Sequence, residues 1–360
     1  MKHIYTFAAV TLLLLTACNE KEEKPLDRTT SDWAFYELEG DVKSITLKSK
    51  TISETGEVGN MKHENPTTHD TEIEFNEEGM VILEKKLNSD GGPYEQITYN
   101  GREHKLEQIQ YVKNVPGIKT EFQWDETGQN NTVITRLNSD NTQIDRKEMK
   151  YEKGRIVEKI TYNKQNNPVD RMTYAYDEDG NVIEENLFLG LEKVQVKNNY
   201  KYNNNQKVAE IRYDKDNNII FSTSFEYDGD NLVYKEVENG EGKTEYLEKM
   251  TYTENGDLKT KTTIDHFDNV ETVESYSYDA NGNKTGWSVT KNGTPYIKAS
   301  YNYNEKGDVI HSVIIDGEGQ PIDDREYTYK YDEKGNWTEK VITVNGALSF
   351  IEKREITYYN

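Results

Sequence analysis

Met172-Thr173-Tyr174-Ala175-Tyr176-Asp177-Glu178-Asp179-Gly180-Asn181-Val182 sets apolar groups at Met172, Tyr174 and Tyr176. Alternation by two is strand period, and it puts those three side chains on one face. Asp177 then begins a turn, since its carboxylate can accept from backbone amides two residues on. Gly180 suits the positive-φ position of a short hairpin loop. Val182-Ile183 opens a second strand, so the segment reads as one β-hairpin.

The same phrase recurs eleven times, anchored at Phe75, Tyr99, Trp124, Tyr151, Tyr176, Tyr202, Tyr227, Tyr252, Tyr278, Tyr303 and Tyr331. Successive anchors stand 24 to 28 residues apart, which is the spacing of a repeat architecture. The position two before each anchor is always apolar. Gly follows four residues after seven of them, at 79, 128, 180, 256, 282, 307 and 335. Where Gln206 breaks that rule, Asn203, Asn204 and Asn205 tolerate the left-handed conformation. Second strands such as Val208-Ala209 and Val309-Ile310 alternate less cleanly, which predicts bulges. Turns such as Lys164-Gln165-Asn166-Asn167 close the other end of each unit.

The sequence thus predicts an all-β chain, a tandem β-hairpin repeat array of about 11 repeats of ~25 residues. About twenty-two strands would form a long antiparallel sheet, which strand twist forces to coil. Anchors of neighbouring repeats would meet as cross-strand aromatic pairs. The expected repeat domain is 32–360, with an N-terminal cap over 32–60 and a C-terminal cap over 333–360, covering the two sheet edges.

Composition limits what such an array can do. Of 360 residues only 33% are hydrophobic, and the net charge is −22. Evenly spaced tyrosines, 26 in all, argue for order in spite of those figures. The acidity argues against nucleic acid, whose phosphates need Lys and Arg. At the N-terminus, Lys2 and His3 precede an apolar run over 4–15 that is too short to span a bilayer. Leu15-Thr16-Ala17-Cys18 ends it, so 1–18 reads as a signal peptide. That ending resembles the bacterial lipobox, which implies lipidation at Cys18, the single cysteine of the chain. Residues 19–31 read as a flexible tether. Their acidic opening, Asn19-Glu20-Lys21-Glu22-Glu23, looks like the export signal of some surface lipoproteins. The expected address is the outer membrane, on either its cell-surface or its periplasmic face, with the anchor at Cys18 as the membrane partner.

The phrases Tyr176-Asp177-Glu178-Asp179-Gly180-Asn181, Tyr278-Asp279-Ala280-Asn281-Gly282-Asn283 and Tyr331-Asp332-Glu333-Lys334-Gly335-Asn336 resemble the YD repeat of the RHS family. Gly40 to Leu47 and Gly335-Asn336-Trp337 also look like small secreted lipoproteins that carry such repeats. The resemblance implies β-hairpins that spiral into a shell. The Asp-Pro dipeptide expected before a toxin domain is absent, so the resemblance speaks for architecture rather than toxin delivery.

The search for chemistry yields little. His63 and His69 fall in a polar loop, and His104, His266 and His311 lack partners at metal-ligand spacing. No Gly-x-Ser-x-Gly, His-Glu-x-x-His or Walker spacing occurs. Asp177, Asp179 and Asn181 alternate as calcium ligands do, but without the Gly and distal Glu of an EF-hand. Neither a metal nor a cofactor is expected, and no catalytic residue is assigned. The expected function is a non-catalytic binding or scaffold module of the envelope, taking a protein or polysaccharide. A glycan hydrolase with its site in inter-hairpin loops, and a toxin-associated shell fragment, are the alternatives.

Overall fold

In a computed structural model, which describes residues 28–52, 63 and 68–360, the chain forms 24 antiparallel strands in one sheet. Strands are numbered here in chain order, from β1 (Val42–Thr51) to β24 (Ala347–Tyr358). Each strand pairs with its sequence neighbours. β1 pairs with β2 (Asp70–Phe75) on one side and with β24 on the other, from Ser44↔Thr357 to Thr51↔Phe350. The sheet therefore closes into a barrel. This corrects the expectation of an open, coiled sheet with capped edges: the opening and closing strands satisfy each other's ladders, and no edge is left to cover.

Eleven hairpins supply β2 to β23, one per anchor. In every one the register shifts immediately before the anchor, with the extra residue in the second strand. In β10 (Pro168–Tyr176) and β11 (Val182–Leu189), Ala175 faces Glu184 while Tyr176 faces Val182, leaving Ile183 as the bulge. Bulges sharpen twist and bend the strand, which a closing wall needs. The turn is held by Asp177: its Oδ1 accepts from the Asn181 amide at 2.8 Å and its Oδ2 from Asn181 Nδ2 at 3.0 Å. Both oxygens are thus engaged within the turn. The Asn181 side-chain hydrogen bond is the main reason the Asp177 carboxyl titrates below its usual range. All seven anchor-turn glycines have positive φ, Gly180 at 95°.

The seam repeats the hairpin pattern without a covalent loop. Val42 faces Tyr358, Ser44 faces Thr357, and Lys43 is the bulge. Gly40 (φ 74°), Asp41 and Val42 take the places of Gly180, Asn181 and Val182. The Tyr359 amide donates to the Asp41 carbonyl at 2.8 Å, as Asp177 does to Asn181 at 3.0 Å. Tyr358 is in effect a twelfth anchor, and its hairpin is split between the two ends of the chain.

Few side chains are sealed from water. β9 (Arg155–Asn163), β13 (Gln206–Asp214) and β15 (Asn231–Asn239) are half-buried at every position. A sheet packed on a core would alternate buried with exposed, so the wall encloses space rather than a packed interior. One compact cluster lies at the seam. Trp33, fully buried on a single helical turn, α1 (Asp32–Phe35), packs with Val42, Ile45, Ile73, Phe75 and Val81. Its indole N–H donates to the Val42 carbonyl at 2.8 Å, and Asp32 accepts from the Val81 amide at 2.6 Å. Gly79 is required here, because a Cβ would stand 2.5 Å from the Trp33 ring. Residues 28–31, placed in the tether by composition, are ordered: Arg28–Thr30 form a 3-10 turn, and Arg28 donates to the carbonyls of Leu38 and Gly40 at 2.8 and 2.6 Å. Cys18 and the rest of the expected signal and tether lie outside the described residues.

Candidate functional site

The anchors share one face of the wall, where they alternate with exposed residues such as Ala175, Glu226 and Thr251. Their rings do not pair from repeat to repeat among the described residues, contrary to expectation. Instead the hydroxyls bridge hairpins. Tyr151, Tyr176, Tyr227, Tyr252, Tyr278 and Tyr303 donate to carbonyls in the preceding hairpin: Asn131, Ile156, Lys207, Leu232, Leu258 and Lys284, at 2.7 to 3.1 Å. Trp124 does the same to Lys105 through its indole N–H at 2.9 Å. Tyr329 substitutes for Tyr331 in the last hairpin, bonding Val309 at 3.0 Å. Tyr99 turns to the Glu84 carboxylate, and Phe75 packs against Tyr36. Tyr202 has its hydroxyl pushed up by burial.

Deeper along that face the wall is polar and internally paired. Glu95 holds Lys86 at 2.8 Å and Gln108 at 2.5 Å. Glu248 lies 2.5 Å from Lys261 and 3.3 Å from Lys235. Burial opposes the charge on both carboxylates, yet their lysine partners hold them below the usual range.

The histidines are scattered. His104 stacks on Trp124 and His69 on Tyr94. His311 reaches Asp324 at 2.8 Å, and the His266 amide bonds the Glu245 carbonyl. His63 corrects the solvated-loop reading, for it is buried, 8% exposed. Its Nε2 is 2.7 Å from Asp70 and its Nδ1 3.6 Å from Glu352, which also pairs with Lys340 at 2.7 Å. Burial opposes protonation of His63, but the hydrogen bond to Asp70 and the nearby Glu352 carboxylate prevail and push its pKa up to about 9. Among the described residues no three His, Cys, Asp or Glu side chains are gathered to hold a metal ion.

A concavity lies at the mouth of the barrel beside the seam. It holds about 770 Å³ between the segment 28–39 and the turns that follow Tyr278, Tyr303 and Tyr331. Arg354, on β24, enters it with its guanidinium 3.7 Å from the centroid of the Trp337 ring. No carboxylate of the described residues pairs with Arg354. Burial is the largest influence on it and lowers its pKa to about 10, so it stays charged at neutral pH. Lys306 lies 4.7 Å over the Tyr331 ring, likewise without an ion-pair partner among the described residues. The Tyr331 hydroxyl donates to Asp308 at 2.5 Å and accepts from Asn304 at 2.8 Å. Burial first, and then that bond to Asp308, push its pKa up to about 12. Asn336 clamps Glu39 from both sides, accepting from its amide at 2.8 Å and donating to its carbonyl at 2.7 Å. The cavity is lined by three cations, of which Arg28 pairs with Asp41 while Lys306 and Arg354 lie over the Tyr331 and Trp337 rings, and by carboxylates such as Glu37.

Arg354 and Lys306 escaped the sequence reading. Arg354 and its neighbour Trp337 had faint signals: Trp337 opens a second strand where Val182, Leu258 and Val309 stand elsewhere, and Arg354 keeps the alternation of Ile356 and Tyr358.

No family model matches the chain, and no curated protein is similar to it by sequence. Among solved structures it is similar to the TcdB2-TccC3-Cdc42 assembly at 11% identity and a TM-score of 0.29, over 79% of this chain and 19% of that one. A TcdB2-TccC3 chain without its hypervariable C-terminal region matches at 12% identity and 0.28, over 80% and 20%. A porin-like protein from Bacteroides uniformis matches at 10% identity and 0.24, over 88% and 98%. The chain spans about a fifth of the toxin-complex chains. All three likenesses are at the level of β-rich architecture.

Proposed function

We propose that this protein is a lipid-anchored module of the cell envelope that binds, without chemistry of its own, a carboxylate-bearing polysaccharide at the mouth of its barrel. The reading rests chiefly on Arg354. Its guanidinium is half-buried and makes no ion pair among the described residues; Glu352, Glu37 and Asp308 favour its charge from a distance, and a ligand carboxylate would supply the direct contact. Arg presents a planar fork that matches a carboxylate in two hydrogen bonds. The surrounding groups suit a sugar: amides and carboxylates for hydroxyls, and an aromatic floor. A cavity of about 770 Å³ falls in the range of ligand sites. The carboxylates on the wall, Glu37 and Asp308, favour a singly charged group over a phosphate. The anchoring half of the proposal rests on Leu15 to Cys18.

Calorimetric titration with galacturonate oligomers, beside neutral galactose oligomers, tests the binding. Galacturonate should bind, the neutral sugar at least about tenfold more weakly, and Arg354→Met should abolish the difference. Equal affinity for both sugars would refute the site. Cys18→Ala should move the protein out of the membrane fraction; retention there would refute the lipid anchor.

A further inference from the structure

The two ends of the barrel differ in kind. In an up-and-down barrel every anchor turn lies at one end and every plain connection at the other. Sixteen large apolar side chains are exposed among the described residues, and all but Phe35, Leu106, Ile183 and Ile310 lie within three residues of a plain connection. Phe267 stands 90% exposed at the tip of its turn. Val112 and Val115 flank Lys113-Asn114 at 66% and 62%, and Leu189 reaches 61%. Tyr296 and Ile322 continue the series on later hairpins. Single exposed apolar residues need no explanation, but the concentration of twelve of the sixteen around one end does.

Charge divides along the same axis. Carboxylates outnumber cations in eight of the eleven anchor turns, by three at 177–181. In the plain connections of the described residues the excess never passes one, and Lys113 and Lys164 reverse it. The apolar end is therefore also the end where the net charge of −22 is least felt.

We infer that the rim of plain connections docks on a lipid bilayer, inserting its apolar tips among the headgroups while the acidic mouth faces away. A ring of tips around one end fits a flat, yielding surface better than a protein pocket, which would engage one arc of it. A second copy seated rim to rim would set Asp90, Asp140, Asp268 and Glu318 against their own equivalents. Nine residues of chain, the number from 19 to 27, have a maximum reach of about 30 Å, which is comparable with the length of a nine-residue strand. A lipid at Cys18 can therefore reach the same surface although Arg28 sits at the acidic end. The inference stands apart from the sugar site, which lies at the opposite mouth.

Flotation of the Cys18→Ser chain, which carries no acyl group, tests the rim alone. The probes are vesicles of phosphatidylcholine, and of phosphatidylcholine with one third phosphatidylglycerol. The protein should float with the zwitterionic vesicles, and less with the anionic ones at low salt. Phe267→Ser together with Val112→Ser and Val115→Ser should reduce the bound fraction at least about tenfold. An unchanged melting midpoint would show that these exposed positions leave the fold intact. The acidic-end variant Glu178→Gln should float as the parent does. No flotation with either vesicle, or flotation that the triple variant leaves unchanged, overturns the inference. Rim-dependent dimers in sedimentation without flotation would also overturn it and assign the rim to a second copy.

Discussion

The hydroxyl of Tyr176 donates to the carbonyl of Ile156 at 2.7 Å, across the junction between two hairpins. Ile156 is the residue that faces the preceding anchor, Tyr151, beside its bulge. The backbone ladder of that junction ends earlier, at Thr173↔Glu158. Seven of the eleven anchors thus supply, from the side chain, the hydrogen bond that the diverging backbone no longer can. That explains why tyrosine dominates the anchor position although the rings do not stack on one another: the ring sets the reach and the hydroxyl makes the join.

Tyr176→Phe keeps the ring and deletes the donor, leaving the Ile156 carbonyl without its partner. The expected cost is about 1 kcal/mol. Tyr176→Ala removes the ring as well and should cost about 3 kcal/mol. Hydrogen exchange should show faster opening on both sides of the junction, in β9 and β10 together. Protection lost in β10 and β11 alone would mean that the anchor serves only its own hairpin.

The split hairpin at the seam makes the position of the termini incidental. Joining residue 360 to residue 28 by a flexible linker, and opening the two-residue turn at Asn204-Asn205, should give a folded permutant. Its melting point should lie within about 5 °C of the parent's. Truncation after residue 346 should behave quite differently. It removes β24, strips the partners of β1 and β23 (Trp337–Val344) at once, and exposes two long edges. Aggregation on refolding is the expected outcome. A monomeric truncated form that melts like the parent would contradict closure of the barrel through β1 and β24.

His63 ties stability to pH. Its folded pKa of about 9 is above the ordinary 6.5, so the protonated form favours the fold. The stabilisation is complete below pH 6.5 and fades as pH rises through 9, by up to about 3 kcal/mol. The groups facing it are Asp70, Glu352 and, through Glu352, Lys340. Urea midpoints should therefore fall between pH 6.5 and 9.5. His63→Gln should flatten that slope and also destabilise at pH 6, because Asp70 and Glu352 would remain buried together. A parent midpoint that stays level across the window would dismiss the pair as a pH-dependent contribution.

Local chemistry made the hairpins legible. Alternation at Met172, Tyr174 and Tyr176, the turn at Asp177 and the glycine at 180 are all short-range, and each appears where the residues put it. The bulges too were foreshadowed, by second strands such as Val309-Ile310 that carry apolar groups on both faces. Closure was not legible, because the sequence codes the twelfth hairpin in two pieces more than 300 residues apart. Gly40-Asp41-Val42 and Tyr358-Tyr359 each look like fragments until they are set side by side. The cavity escaped for the same reason. Arg354 reads as one more polar residue in a strand; it meets Trp337 across the neighbouring strands β23 and β24, and closure then brings the segment 28–39 to their mouth. His63 was misread because its burial depends on Asp70 and on Glu352 from the far end of the chain.

Backbone conformation and side-chain space can be separated at Gly282. Its φ is 85°, and a Cβ there would meet nothing within 4 Å. Any cost of Gly282→Ala is therefore the cost of holding an L-residue in the left-handed region, about 1 kcal/mol. Asn visits that region more readily, as Asn204 and Asn205 do at φ 50° and 64°. Gly282→Asn should thus cost roughly half as much. Gly79 has nearly the same φ, 78°, but its Cβ would collide with Trp33. Gly79→Asn should therefore gain nothing over Gly79→Ala, and both should cost about 3 kcal/mol by displacing the buried indole. Chemical denaturation of the four variants decides the matter. If Asn rescued both sites equally, the packing of Trp33 against Gly79 would have to be discarded, and with it the account of how the segment before β1 is fixed to the mouth.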